Sequence, residues 1–192
     1  MALNRCCKHW LFVISLVFSL VLFCEFIIYY LVIFQCRYPN VEYSKTDGKD
    51  PEKILYAMFL SDTHLLGSRN GHWFDKLRRE WQMHRSFQTA QAYFRPEATF
   101  FLGDIFDEGK WCDDEEFTYY VQRFNDLFYV AEDQHVFVIV GNHDIGFHYA
   151  VSPRLNQRFQ KAFNLKAIEK VDVKGVSFVL VNSMAMEGDG CF

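Results

Sequence analysis

Three short, almost continuous apolar runs constrain this chain more than any other feature. They are residues 54–60 (ILYAMFL), 98–102 (ATFFL) and 136–140 (VFVIV). Runs of this length, bounded by polar turns, suit strands covered on both faces, as in parallel sheets. The segments between them read as helices. Residues 72–94 carry Trp73, Leu77, Trp81, Phe87 and Phe94 near helical spacing, with Lys76, Arg78, Arg79 and Glu80 between them, and stop before Pro96. Residues 113–131 place Phe117, Val121, Phe124 and Phe128 on one face, with Asp113 or Asp114 as cap. Residues 152–163 read as a further helix, and residues 171–181 as a hairpin whose second strand is buried. The order β-α-β-α-β-α-β-β predicts a layered α/β fold.

Ahead of this body, residues 10–34 read WLFVISLVFSLVLFCEFIIYYLVIF. Such a run is long enough to cross a hydrocarbon core of about 30 Å as a helix. Trp10, Tyr29 and Tyr30 lie near its ends, where aromatic rings favour the headgroup region. A cleaved signal peptide would have a shorter apolar core and a small-residue cleavage site. The run therefore reads as an uncleaved signal anchor. Glu25 is its one acidic residue, expected to be protonated or to reach a polar partner. Residues 1–9 form a flank. Residues 35–53, with Pro39, Pro51 and Asp47-Gly48, read as a linker, and residues 54–192 as the domain. Charges on the two sides of the run do not fix its orientation.

A net charge of −4 over 192 residues excludes a general nucleic-acid binder, which would carry a basic stripe. The six cysteines contain no C-x-x-C pair, so neither a zinc ribbon nor a redox motif is indicated. Cys6, Cys7 and Cys24 read as membrane-embedded thiols. One bridge among Cys36, Cys112 and Cys191 stays open.

Each of the three strands ends in a polar cluster: Asp62-x-His64, Gly103-Asp104-x-x-Asp107 and Gly141-Asn142-His143-Asp144. Functional residues of open α/β sheets gather at the carboxyl ends of the strands, so adjacent strands would bring these clusters together. Carboxylate oxygen and imidazole nitrogen suit manganese, iron or zinc. One Asp can bridge two ions, and an Asn carbonyl adds a ligand without charge. Two such ions polarise a phosphoryl oxygen and acidify a bound water. His143 is then free to meet a substrate, with Asp144 to orient or charge it. Taken singly, each cluster also fits a helix cap or a turn. Three in series, each after an apolar strand, favour the metal reading.

D-x-H, G-D-x-x-D and G-N-H-D in series resemble the calcineurin-like metallophosphoesterase family. The resemblance implies that Asp62 and His64 bind a first divalent metal, Asp104 bridges, and Asn142 binds a second. It implies that His143 contacts the phosphate and assists the leaving group, with Asp144 behind it, while Asp107 supports structure nearby. The surrounding stretches SDTHLLG, GHWFDKLRREWQM, GDIFDEGKW and GNHDIGFHY, behind a membrane anchor, narrow the resemblance. They are similar to membrane phosphodiesterases of the early secretory pathway that remodel GPI anchors. That likeness implies removal of ethanolamine phosphate from a mannose of the GPI glycan, with manganese as the metal. It further implies residence in the endoplasmic reticulum, its exit sites, the intermediate compartment and the Golgi, with the domain facing the lumen. The expected partners are the GPI-anchor glycan and membrane lipid, with no nucleic acid. The family's further histidines lie beyond residue 192, so the chain reads as the N-terminal half of the fold, and the resemblance implies that without those ligands it is incomplete for hydrolysis by itself. The alternatives are a non-catalytic membrane scaffold and a phosphatase for another membrane phosphodiester. His72, His84 and His135 read as surface or core residues rather than ligands. His148 and Tyr149 read equally as cleft lining or loop packing. Lys110 and Trp111 are weak candidates for meeting a glycan or phosphate.

Overall fold

A computed structural model of the chain describes residues 4–37 and 54–186. The expected linker lies mostly outside the described residues, as does Cys191.

The apolar run is helical throughout. It comprises α1 (Arg5–Leu22), a π-helical turn at Phe23–Ile27 and α2 (Ile28–Ile33). Within it, Cys7–Ile33 is long and apolar enough to cross a membrane. The π turn contains Glu25, whose backbone carbonyl accepts from Trp81 Nε1 of the globular part (3.4 Å).

The body contains β1 (Ala57–Leu60), α3 (Trp73–Phe94), β2 (Ala98–Leu102), α4 (Asp114–Leu127), β3 (His135–Ile139), the short α5 (Asn142–Ile145), α6 (Pro153–Phe163), β4 (Ile168–Val173) and β5 (Val176–Val181). The helix ends follow from their residues. His72 Nδ1 accepts from the Phe74 N–H at the start of α3, and Arg95 closes that helix in the left-handed conformation before Pro96. Asp113 caps α4 and Ser152 caps α6, which opens with Pro153.

Strands β1, β2 and β3 form a parallel sheet in that order. Ala57 pairs with Ala98, and Ala98 with His135. With neighbouring strands in sequence order, right-handed crossovers place α3 and α4 on the same face. Side chains of β2 alternate accordingly. Phe101 enters the larger core with Phe87, Phe106, Phe117, Tyr120, Phe124, Phe128 and Phe159. Ala98 and Phe100 turn the other way, onto Val173 and Leu180 of the antiparallel β4–β5 hairpin. Among the described residues eight phenylalanines are buried in this interior, where edge-to-face pairs such as Phe101–Phe124 (4.9 Å) and Phe87–Phe128 (5.2 Å) recur.

Burial corrects two expectations. Only β2 is covered on both faces. β1 and β3 lie at the edges of the three-stranded sheet, so Phe59 is 54% and Val136 38% exposed. The second hairpin strand is mostly open as well. Leu180 is its one buried residue, because the hairpin covers the sheet with one face and leaves the other to solvent. Cys36 and Cys112 are free thiols, and burial pushes the Cys112 thiol up. His84 Nδ1 lies 2.9 Å from the Leu127 carbonyl, which ties α3 to the end of α4. Arg158 of α6 donates to the carbonyls of Gly109 (2.7 Å) and Cys112 (3.0 Å), pinning the loop that follows Asp107.

Phe106 is fully buried among Phe117, Tyr120, Phe159 and Phe163. Phe106→Ala is expected to lower stability by about 3–5 kcal/mol through lost transfer energy and a residual cavity. Gln122→Ala, exposed on α4, should stay within about 0.5 kcal/mol. Denaturant unfolding in detergent micelles, followed by circular dichroism, reads both. Equal losses would contradict this packing.

Candidate metal centre

The parallel pairing of β1 with β2 does not stop where the strands stop. Beyond them, the Asp62 N–H donates to the Gly103 carbonyl (3.2 Å), His64 N–H to Asp104 (2.9 Å) and Leu65 N–H to Ile105 (2.9 Å). The Asp107 N–H returns a bond to the Leu65 carbonyl (3.1 Å). The first two clusters are thereby laid side by side by backbone bonds. Asp62, His64 and Asp104 all have positive φ, at 58°, 41° and 49°. Such left-handed conformations cost of order 1–3 kcal/mol each at residues other than glycine and gather at functional sites.

The side chains converge. One ligand atom each from Asp62, His64 and Asp104 lies within 4.8 Å of the others. His64 Nε2 is 3.7 Å from an Asp62 carboxylate oxygen and 3.8 Å from one of Asp104. Its other nitrogen, Nδ1, is 3.2 Å from Asp107. Asp107 therefore orients the imidazole so that Nε2 faces the two carboxylates, the outer support that histidine ligands usually have. His64, Asp107 and His143 also group within the same limit. His64 Nδ1 is within hydrogen-bond reach of Asp107 Oδ1 (3.2 Å), whereas His143 Nδ1 is 3.6 Å from that oxygen and bonds the Asp107 backbone carbonyl instead.

The third cluster is joined through Asp104 and Asp144. The His143 N–H donates to Asp104 Oδ1 (2.8 Å). A Cβ added to Gly141 would stand 2.3 Å from that same oxygen, so only glycine allows this approach. Asn142 lies in the chain between Gly141 and His143, two residues packed against the Asp104 carboxylate. The His143 ring lies edge-on to His64 at 4.6 Å, with Nδ1 2.9 Å from the Asp107 carbonyl.

Asp144 differs from expectation. Its buried carboxylate accepts from the backbone N–H of Gly141 (2.8 Å), Phe106 (2.9 Å) and Ile105 (3.3 Å). It ties the third loop to the second, while Asp107 rather than Asp144 orients the His143 ring. A carboxylate beneath a four-residue helix is captured by the nearest unpaired N–H groups, which the motif alone does not reveal. Burial pushes its carboxyl up to about 7, against those N–H donors, which favour the anion.

Glu108, which sequence reasoning passed over, does comparable work. It is 1% exposed and accepts from the backbone N–H of Arg69 (3.0 Å) and Asn70 (2.5 Å). A Cβ on Gly67 would meet its carboxylate at 2.0 Å. Asn70 in turn reaches Asp107 (3.5 Å). The only sequence signal was the run Asp107-Glu108-Gly109 opposite a glycine-bearing loop. Among the weaker candidates, Lys110 lies over the Trp111 ring at 4.6 Å, Trp111 is exposed, and Tyr149 is fully exposed rather than packed.

The donor set of hard carboxylates with one imidazole, two supporting hydrogen bonds and a glycine-made approach fits divalent transition ions. Gly141→Ala pushes a Cβ into the Asp104 carboxylate and is expected to weaken manganese binding at least about tenfold, as Asp62→Asn should. Titration followed by electron paramagnetic resonance measures this. Unchanged affinity in Gly141→Ala would remove Asp104 from the binding set.

The family model for calcineurin-like phosphoesterases matches residues 56–185. Among curated proteins, the chain is 53% identical to metallophosphoesterase 1 of Gallus gallus, over 93% of this chain and 45% of that protein. It is 54% identical to metallophosphoesterase 1 of Mus musculus, over 91% and 43%, and 48% identical to that of Danio rerio, over 93% and 46%. The chain spans less than half the length of these relatives. With the matched region enclosing all three converging clusters, the chain belongs to the calcineurin-like phosphoesterase family.

Proposed function

We propose that this chain carries the metal-holding part of a membrane-anchored phosphodiesterase. Its substrate is the ethanolamine phosphate on a mannose of the GPI-anchor glycan, and its removal promotes transport of GPI-anchored proteins from the endoplasmic reticulum to the Golgi. On this reading the domain faces the lumen of the early secretory compartments, and manganese is the resident metal. The observation that carries the metal-dependent part is the meeting of Asp62, His64 and Asp104 within ligand distance at one end of the sheet. The membrane-bound substrate is supported by position. Asp62 and Ile33, the last residue of α2, line the same groove, so the centre lies next to the candidate span.

Two divalent ions held by Asp62, His64, Asp104 and Asn142 would supply Lewis acidity and an acidified water. The chain's own residues do the rest. Asp107 holds the His64 ring through Nδ1. His143 donates its Nδ1–H to the Asp107 carbonyl, which leaves Nε2 facing away from it; as the imidazolium, the ring passes its Nε2 proton to the leaving sugar oxygen and ends as the neutral Nδ1–H tautomer. The tautomer follows from the carbonyl, which can only accept. Asp144 and Glu108 fix the loops on which these groups ride.

The test is release of ethanolamine phosphate from a GPI glycan in lipid vesicles by this chain joined to the C-terminal half of a longer relative, with and without manganese. Metal-dependent release is expected. Asp62→Ala and Asn142→Ala should each reduce it by on the order of 100-fold. Full release by either variant would remove the proposed ligand roles. Metal binding without release would favour the non-catalytic scaffold.

A further inference from the structure

The polar bonds of Arg158, on α6, go to one short stretch of chain, residues 109–114. Its guanidinium donates to the carbonyls of Gly109 (2.7 Å), Cys112 (3.0 Å) and Asp113 (3.1 Å) and to the Asp114 carboxylate (2.9 Å). The guanidinium carbon lies 4.2 Å from the centre of the Phe117 ring, and the side chain is only 11% exposed. Holding a charged fork this far from water is costly unless specific bonds return the loss. An arginine that only balanced charge would need no more than Asp114, with which the exposed Arg154 already pairs (2.8 Å). The three carbonyl bonds go beyond that, and they fall on the segment that follows Asp107.

That segment is pressed against the third loop. Gly109 comes so close that a Cβ there would stand 2.9 Å from the Asp144 Cα and 3.2 Å from the His143 carbonyl oxygen. The Lys110 N–H donates to that same carbonyl (3.0 Å). The Gly109 C=O and the Lys110 N–H belong to one peptide group. It is trans, so the two point to opposite sides of a stiff, nearly planar unit. Arg158 therefore holds one edge of a peptide whose other edge holds the His143 backbone. A cation at the carbonyl also polarises the amide and strengthens the bond that its N–H donates. Two residues before Gly109, the Asp107 carbonyl lies 2.9 Å from His143 Nδ1. Residues 107–110 thus fix both the backbone and the ring of His143, and Arg158 ties them to α6.

We infer that Arg158 is a positioning residue for His143, acting through the Gly109–Lys110 peptide to set where the imidazole stands and which nitrogen carries its proton. The inference rests on the role proposed for His143 and concerns no metal ligand. A proton donor misplaced by about 1 Å can lose on the order of 100-fold in rate, so a clamp two loops away from the leaving group still bears on the reaction.

The full chain with isotope-labelled histidine, metal-free in detergent micelles at about pH 8, holds its unperturbed histidines neutral. Long-range proton–nitrogen correlation spectra then separate the two tautomers, and His143→Gln and His84→Gln assign the two signals of interest. His84 Nδ1 lies 2.9 Å from the Leu127 carbonyl, which makes it an internal control for folding. Both rings are expected as Nδ1–H in the unaltered chain. In Arg158→Ala the Nδ1–H share of His143 should fall at least about twofold, and in Arg158→Lys by less, with His84 unchanged in each. Arg154→Ala removes the other partner of Asp114 without touching residues 109–112 and should change neither ring. An unchanged His143 in both Arg158 variants overturns the positioning role, as does a His143 that already lacks Nδ1–H in the unaltered chain. Should Arg158→Ala lose both signatures by unfolding, Arg158→Lys decides, and joint loss there as well assigns Arg158 to stability and overturns the role. The spectra need neither metal nor substrate, so this inference and the phosphodiesterase reading fail separately.

Discussion

The site depends on a few backbone hydrogen bonds that prolong a parallel strand pair beyond its last strand residue. Parallel pairing fixes the register of β1 against β2, and the bonds from Asp62, His64 and Leu65 to the Gly103–Ile105 stretch carry that register into the loops. The metal-binding side chains are therefore positioned by the sheet. Loop closure around them need not be specified separately, because each loop inherits its place from a strand. The third loop has no such ladder to the second. It is joined by the Lys110 N–H to His143 carbonyl bond, by Asp104 accepting from the His143 N–H, and by Asp144 accepting from Ile105 and Phe106 while also holding Gly141. Removing that carboxylate would leave three N–H groups to find new partners, each at a cost of about 1–3 kcal/mol when buried.

The cost of this arrangement is paid in local backbone strain and in steric exclusivity. Asp62, His64 and Asp104 sit in left-handed conformations that neighbouring bonds hold in place. Gly141 and Gly67 are required for a different reason, the room they leave for the Asp104 and Glu108 carboxylates. These features have one consequence in common. Both hold the ligand-bearing loops through contacts within the chain itself.

Much of this could be read in the sequence because the relevant signals are local. Apolar runs gave the strands, Asp113, Ser152 and Pro96 marked helix ends, and the clusters after three strands gave the ligand candidates. What was not legible depends on partners distant in sequence. That β1 and β3 would be half exposed follows from how many strands join the sheet, which no run of residues states. Asp144 was assigned to His143 by adjacency, whereas its carboxylate reaches N–H groups almost 40 residues earlier. Glu108 was missed because a buried carboxylate that accepts only from backbone leaves no side-chain pattern. The apparent helix periodicity of residues 72–94 hid a division of labour. Phe87 faces the core, Trp81 faces the N-terminal helix, and Trp73 faces neither.

That division also decides how the body meets the apolar helix. The π turn lies at the level where Trp81 and Arg85 of α3 make contact, and the Glu25 backbone carbonyl there accepts from Trp81 Nε1. From there on the seam is aromatic, through Phe26–Trp81 and Phe34–Tyr93, with Arg85 between them donating to the Tyr30 hydroxyl. An aromatic seam alone could slide by one turn, since rings tolerate many packings. Directional bonds from an indole N–H and a guanidinium narrow that choice, so the register of α3 against the apolar helix depends on Trp81 and Arg85 together.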